Sequence, residues 1–271
     1  DAVIGPMYYN EMEAVASLLD NSKPLIISPL SEKDHSAIPN SKLVQATANL
    51  SRLDAEMLHY LSTHYQQENV VVVSDDASTD QLNAVIKQLN TKVPEEQLKT
   101  IKQSKGFVNA STLRTSLSTE KENWVILAGK SEILIKDLVH NLGVLPEKYK
   151  ITLFAFDKGK EFDKMDNHSL ERVRFHYPSL SFENYDDQKT KQFISAYKQK
   201  YGGVPTSYAF KGFDITYDIL IRMAGSEPLS KQGTSERLWN KFSYVQNSSG
   251  SIVNQAVYIL HYENLELKSA N

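Results

Sequence analysis

Carboxylates close two of the most apolar runs in this chain of 271 residues: Asp75 and Asp76 follow VVVVS, and Asp157 follows ITLFAF. At the carboxyl end of a parallel strand, a carboxylate faces the crevice above the sheet and can hold a cation, an amine or a metal. It can equally cap the next helix, the commoner job of an Asp just past a strand. Lys130 stands one residue beyond WVILAG, where an ammonium group can meet an anionic ligand or pair with Asp157. Tyr8 and Tyr9 follow a Gly-Pro turn, where an aromatic ring either stacks on a flat ligand or plugs the site. Ser28 and Ser31 border the Pro-Leu step after LII, and either would serve as a nucleophile only with a base held about 3 Å away.

Other chemistry finds little support. Seven histidines occur without HExxH, and His59 and His64, five apart, fall on different faces of a helix. There is no GxSxG, GxGxxG or GxxxxGK[ST], so neither a serine-hydrolase elbow nor a phosphate cradle is expected, and no cofactor is implied. The absence of cysteine removes disulfides, thiolate catalysis and cysteine-ligated zinc. Four Asn-X-Ser sequons, at Asn49, Asn109, Asn167 and Asn247, carry no functional weight. Asp214, inside GFDITYDIL, reads as a solvated helix position, and Phe210, Phe213, Tyr217 and Leu220 read as a core stripe on the same helix.

Elements that position these groups follow from hydrophobic period. Thirty basic against 33 acidic residues leave a formal charge of −3, which argues against nucleic acid as the main partner. No apolar run approaches the roughly 20 residues that span a bilayer. Short strands alternate with amphipathic helices: DAVIGP, a helix from Asn10 to about Asp20, PLIISPLS, the extended LVQATAN, and a helix from Ser51 to Gln66. VVVVSDD, WVILAG and ITLFAFD have the all-apolar character of strands buried on both faces. Helices over Gln81–Asn90, Ser111–Ser118 and 132–142 separate them, the last with Ser131 as its N-cap. A weaker strand over 98–102 and VRFHYP complete a parallel α/β pattern. Helices then follow over Gln188–Tyr201, Ser207–Ala224 and Glu236–Val245 before a strand returns at AVYILHY.

This order resembles the type I periplasmic binding proteins, in the leucine/isoleucine/valine-binding and receptor ligand-binding branch. VIGPMYYNEMEAVASLL with PLIISPLS resembles the third strand, helix and fourth strand of that family. VVVVSDD, WVILAGKSEILIKDLVHNLG and ITLFAFD resemble its second lobe, and TKQFISAYKQKYGGVPTSYAFKGFDITYDIL the return to the first. The resemblance implies two Rossmann-like lobes with parallel sheets, the first incomplete. Lobe one would comprise residues 1–47 and 183–249, and lobe two residues 48–182 and 250–271, with crossings near Thr47, Pro178 and Gly250. The family's opening strand–helix–strand–helix would lie before Asp1, so an upstream segment or a second chain is expected beside residues 2–5.

It further implies a non-enzymatic domain of the periplasm or cell envelope that closes around a small, amino-acid-like or larger ligand, with a transporter or envelope protein as partner. The family's amine-binding carboxylate falls on Asp157, its serine after the Gly-Pro turn on Tyr9, and its next hydroxyl near Ser31 or Glu32. Its stacking aromatics fall on Lys130 and near Thr79. So altered a clamp implies a ligand other than a free branched-chain amino acid, or a degenerate domain serving as an interaction or envelope scaffold.

Overall fold

The computed structural model describes residues 1–18, 24–38 and 40–270. They divide into two compact units, residues 1–53 with 180–258, and residues 54–179 with 259–271. In chain order the first unit opens with β1 (Ala2–Ile4), α1 (Tyr9–Leu18), β2 (Leu25–Ser28) and β3 (Leu43–Gln45). Helix α2 (Ser51–His64) leads into β4 (Asn69–Ser74), α3 (Thr79–Leu89), β5 (Leu98–Lys102) and α4 (Ala110–Ser116). The second unit continues with β6 (Asn123–Ala128), α5 (Glu132–Gly143), β7 (Ile151–Ala155), α6 (Gly159–Phe162), α7 (Asn167–Arg172) and β8 (His176–Ser179). The first unit resumes with α8 (Gln188–Tyr201), α9 (Ser207–Ala224), β9 (Thr234–Glu236), β10 (Lys241–Gln246) and β11 (Ile252–Asn254). Strands β12 (Tyr258–Glu263) and β13 (Glu266–Ser269) close the second sheet.

The second unit's sheet runs β13-β12-β8-β7-β6-β4-β5, parallel from β8 through β5, with β13 antiparallel to β12. Every residue of β4 and β6 is buried, as their unbroken apolar runs require. On one face Val70, Val72, Trp124, Ile126 and Phe154 pack against Met57 and Leu61 of α2 and Val85 and Leu89 of α3. From β4 the chain steps outward to β5, then back across to β6. The ends of β4 and β6 therefore flank the point where strand order reverses, the usual crevice of an open α/β sheet.

The first unit's sheet runs β1-β2-β3-β11-β10-β9. Alternation decides its packing: Ile27 and Val44 face Ile215 and Ile219 of α9, whereas Ile26 and Leu43 face Met12 and Ala16 of α1. β1 pairs with β2 and forms the sheet's edge, leaving Val3 and Ile4 52% and 38% exposed.

Several sequence expectations fail in this unit. Residues 236–245 are not a helix but β9, a turn and β10. Phe242 and Tyr244 are buried while Lys241, Ser243 and Val245 are half-exposed, a period of two that an apolar count over a helical window misses. Residues 250–258 belong with the first unit, because β11 inserts between β3 and β10. Asp214 is not solvated. It is fully buried, and its carboxylate accepts the backbone N–H groups of Leu238, Trp239 and Asn240 at 3.0, 3.0 and 3.1 Å and Asn240 Nδ2 at 2.8 Å. The buried face of α9 carries Phe210, Asp214, Ile215, Asp218, Ile219 and Arg222; Phe213, Tyr217 and Leu220 of the expected core stripe are 42%, 45% and 61% exposed.

Candidate functional site

Both sheets present the carboxyl ends of parallel strands, and each edge carries a recess within its own unit. In the second unit, the loops after β6 and β7 border a cavity of about 310 Å³, whose lining includes Gln81, Gly129, Lys130, Phe156, Asp157 and Glu161. Lys130 Nζ lies 3.9 Å from Asp157 Oδ2, with both side chains more than half exposed. The short helix α6 is preceded by Lys158 at its N-cap, so Asp157 is not that helix's cap, and its only charged neighbour in an ion pair among the described residues is Lys130. Asp54, in the first turn of α2, joins this pair electrostatically. Desolvation raises its carboxyl above the ordinary range, Lys130 opposes that, and Asp157 adds to it. Two carboxylates against one ammonium group make a local field that favours a positively charged group.

Asp75 sits elsewhere. It is buried at the end of β4, and its Oδ2 accepts the backbone N–H groups of Lys130 at 2.9 Å and Ser131 at 3.1 Å. Burial alone would raise its carboxyl; hydrogen bonds from Ser78, Lys130 and Ser131 outweigh burial and hold it below the usual range. Asp75 thereby ties the β4 end to the β6–α5 loop and aims that loop. Gly129 makes the tie possible: a Cβ there would stand 2.8 Å from Leu134 Cδ2 and 3.0 Å from Asp75 Oδ2. Asp76 instead pairs with Lys102 at 2.7 Å, and Thr79 is an exposed first residue of α3 whose hydroxyl donates to the Asp76 carbonyl. Neither Asp75 nor Thr79 lines the cavity.

In the first unit, Tyr8, Tyr9, Ser31 and Glu32 line one open groove of about 580 Å³ together with Leu30 and Lys33. Tyr8 is 73% exposed. Tyr9 stands edge-on to His35, centroids 5.0 Å apart, and Lys33 Nζ lies 5.5 Å over its ring. Ser31 Oγ accepts the Lys33 N–H at 3.3 Å. Burial lowers Lys211 of α9, an effect that nearby Glu32 opposes.

Ser28, the last residue of β2, does not line the groove. Its Oγ is 3.0 Å from His35 Nε2, the spacing of a nucleophile and its base. Yet Ser28 is 1% and His35 0% exposed, and His35 Nδ1 is taken by the Lys33 carbonyl at 2.8 Å rather than by a carboxylate. Burial lowers His35 and keeps the imidazole neutral, so the pair braces the loop after β2. Among the described residues no cluster of three or more His, Asp or Glu is placed to hold a metal, and no helix is long and apolar enough to cross a membrane.

Of the nine sequence-picked residues, six line the two recesses. Ser28 and Asp75 brace loops, and Thr79 opens α3. Asp54 was missed. Its only signal was a first-turn acid on a helix, which ordinarily serves the helix dipole.

No family model matches the sequence, and no curated protein matches it. Solved structures do. An ABC transporter substrate-binding protein from Desulfitobacterium hafniense, solved in complex with Leu, superposes with a TM-score of 0.52 at 17% identity over 99% of this chain and 79% of its own. A branched-chain amino acid ABC transporter periplasmic ligand-binding protein from Burkholderia xenovorans gives 0.56 at 12% identity over 100% and 76%. The fold is that of the type I periplasmic binding proteins. An amino acid ABC transporter substrate-binding protein from Pseudomonas fluorescens, at 0.50 and 10% identity, shares this binding-protein fold over 95% of the chain. At such identities the likeness concerns the binding-protein fold and carries no ligand with it.

Proposed function

We propose that this chain is a non-enzymatic solute-binding domain of an extracytoplasmic compartment, the periplasm or cell envelope, which closes its two units around a small amine-bearing ligand. The observation that carries the reading is Asp157, held at a strand's carboxyl end beside a cavity, uncommitted to any helix cap, with Asp54 close enough to act on it electrostatically. Closure would desolvate the ligand and strengthen an ammonium–carboxylate contact. A carboxylate set of this kind recognises the amine, while Tyr8, Tyr9, Ser31 and Glu32 meet the rest of the molecule. The solvent-inaccessible Ser28–His35 pair supports binding over hydrolysis. An envelope or transporter protein is the partner proposed for the loaded form. A further strand, from the same or a second chain, is the neighbour proposed for β1, which forms the edge of its sheet and leaves Val3 and Ile4 exposed.

One observation favours a second reading. Tyr9 is already packed on His35 with Lys33 over it, as a ring that plugs a vestigial groove would be; a scaffold module would bind no solute. A melting screen against small amines and matched neutral solutes separates the two. Stabilisation by an amine, reduced in Asp157→Asn, supports solute binding, and no stabilisation by any solute supports the scaffold. Calorimetric titration with leucine, isoleucine and valine is expected to give no dissociation constant of about micromolar or tighter, since the clamp residues differ.

A further inference from the structure

The second unit holds another recess, at the opposite end of its sheet. The residues before β4, β6 and β8 meet the end of α2 around a cavity of about 570 Å³. Trp124 and Phe154 lie at its base as part of the buried core, and Tyr60, His64, His176 and His261 are among its walls. The rings are mutually packed: Tyr60 stacks on His64 at 4.0 Å, and His176 lies 5.1 Å from Phe154 and 4.8 Å from His261.

Two donors in these walls are already engaged. Thr152 Oγ1 gives its proton to Glu122 Oε1 at 2.8 Å, and Arg174 donates to the same oxygen at 2.5 Å and, through Nε, to the Ile151 carbonyl at 3.0 Å. Arg174 does this from a left-handed backbone, φ +41°, a strained conformation for a side chain-bearing residue. Some acceptors in the lining have capacity to spare. His176 is 8% exposed, and its Nδ1 is committed to the Arg174 carbonyl at 2.6 Å, which leaves Nε2 with its lone pair and no partner among the described residues. The Glu171 carboxylate likewise has none among them, and Glu68 accepts only the Gln66 N–H. Burial and the neighbouring His261 keep His176 neutral at ordinary pH, so its Nε2 stays an acceptor.

We propose that this pocket is a second binding site, separate from the strand-carboxyl edge, for an N–H-rich organic cation, a guanidinium or alkylammonium group. Ring faces attract a cation, two uncompensated carboxylates pair with it, and Nε2 of the cavity-lining His176 accepts its N–H. A neutral or anionic ligand would leave Glu68 and Glu171 unmatched. The site stands independently of the function proposed for the opposite edge.

Agmatine, which carries a guanidinium and an ammonium group, is a suitable probe. Titrated into the whole chain by calorimetry and by NMR of histidine side chains, it is expected to bind saturably below about 1 mM. Ring resonances of His176 and His261 should move, and the double variant Glu68→Gln/Glu171→Gln should weaken binding about tenfold or more. His176→Phe, which keeps an aromatic ring but loses Nε2, should weaken it as well. Absence of saturation to about 10 mM, unchanged affinity in both variants, or ring resonances of His176 and His261 that do not move would each overturn the proposal.

Discussion

Lys130 Nζ and Asp157 Oδ2 stand 3.9 Å apart across the ends of the neighbouring parallel strands β6 and β7. Neither side chain supports the core: each is more than half exposed, and their separation is at the limit of an ion pair. Such pairs contribute about 0–1 kcal/mol. Asp157→Asn should therefore leave the melting temperature within about 2 °C of the parent, while weakening an amine ligand more than a neutral one. A large fall in melting temperature would show that Asp157 serves the fold instead.

Gly129 is the residue that the site's scaffold tolerates least well as anything larger. A methyl group there would meet Leu134 and the Asp75 carboxylate, both buried. Gly129→Ala is expected to lose about 1–3 kcal/mol in urea unfolding, because Asp75 must give up its hold on the Lys130 and Ser131 N–H groups. Unchanged stability would mean that the β6–α5 loop moves freely.

In the first unit, Asp218 is fully buried between two arginines, 2.7 Å from Arg222 Nε and 2.7 Å from Arg237 Nη2. Arg222 is 3% exposed and also donates to the Gly233 and Phe242 carbonyls. Asp218→Ala would strand that guanidinium without its carboxylate and should cost about 3–5 kcal/mol. The double variant Asp218→Ala/Arg222→Met should recover part of the loss. Equal unfolding midpoints for parent and single variant would contradict the burial.

His176 supplies a pH dependence with a defined sign. Burial lowers it from 6.5 to about 4, so between those values the unfolded chain binds a proton that the folded one refuses. Its contribution is present above pH 6.5 and is lost as pH falls toward 4. The loss amounts to about 3 kcal/mol at most. His261 and His35, also lowered by burial, add to the same slope. In His176→Phe the fall in unfolding free energy over this range should be visibly shallower; an identical slope would refute the assignment.

Much of the second unit was legible in the sequence, because VVVVS, WVILA and ITLFA are buried on both faces and their apolar runs are unambiguous. The placement of Asp157 and Lys130 just past β7 and β6 was legible for the same reason. The first unit was harder. Asp214, Asp218 and Arg222 sit on the buried face of α9 because the chain near β9 and β10 supplies partners 11 to 26 residues away, which no local pattern reveals. That pairing turns the helix so that Phe213, Tyr217 and Leu220 face outward, the reverse of what hydrophobicity alone predicts. Asp75 was read as a ligand or a cap, but its carboxylate acts across 55 residues on the Lys130 N–H, a tertiary bond invisible in the strand that carries it.

We propose a small amine-bearing solute for the strand-carboxyl edges. Native mass spectrometry of the protein taken directly from its source, without dialysis, tests it most directly. The expected result is a bound species of defined small mass that is released on denaturation, carries an amine, and is depleted in Asp157→Asn. A single mass that matches the bare chain before and after denaturation, or a second protein chain in place of a small molecule, would contradict it.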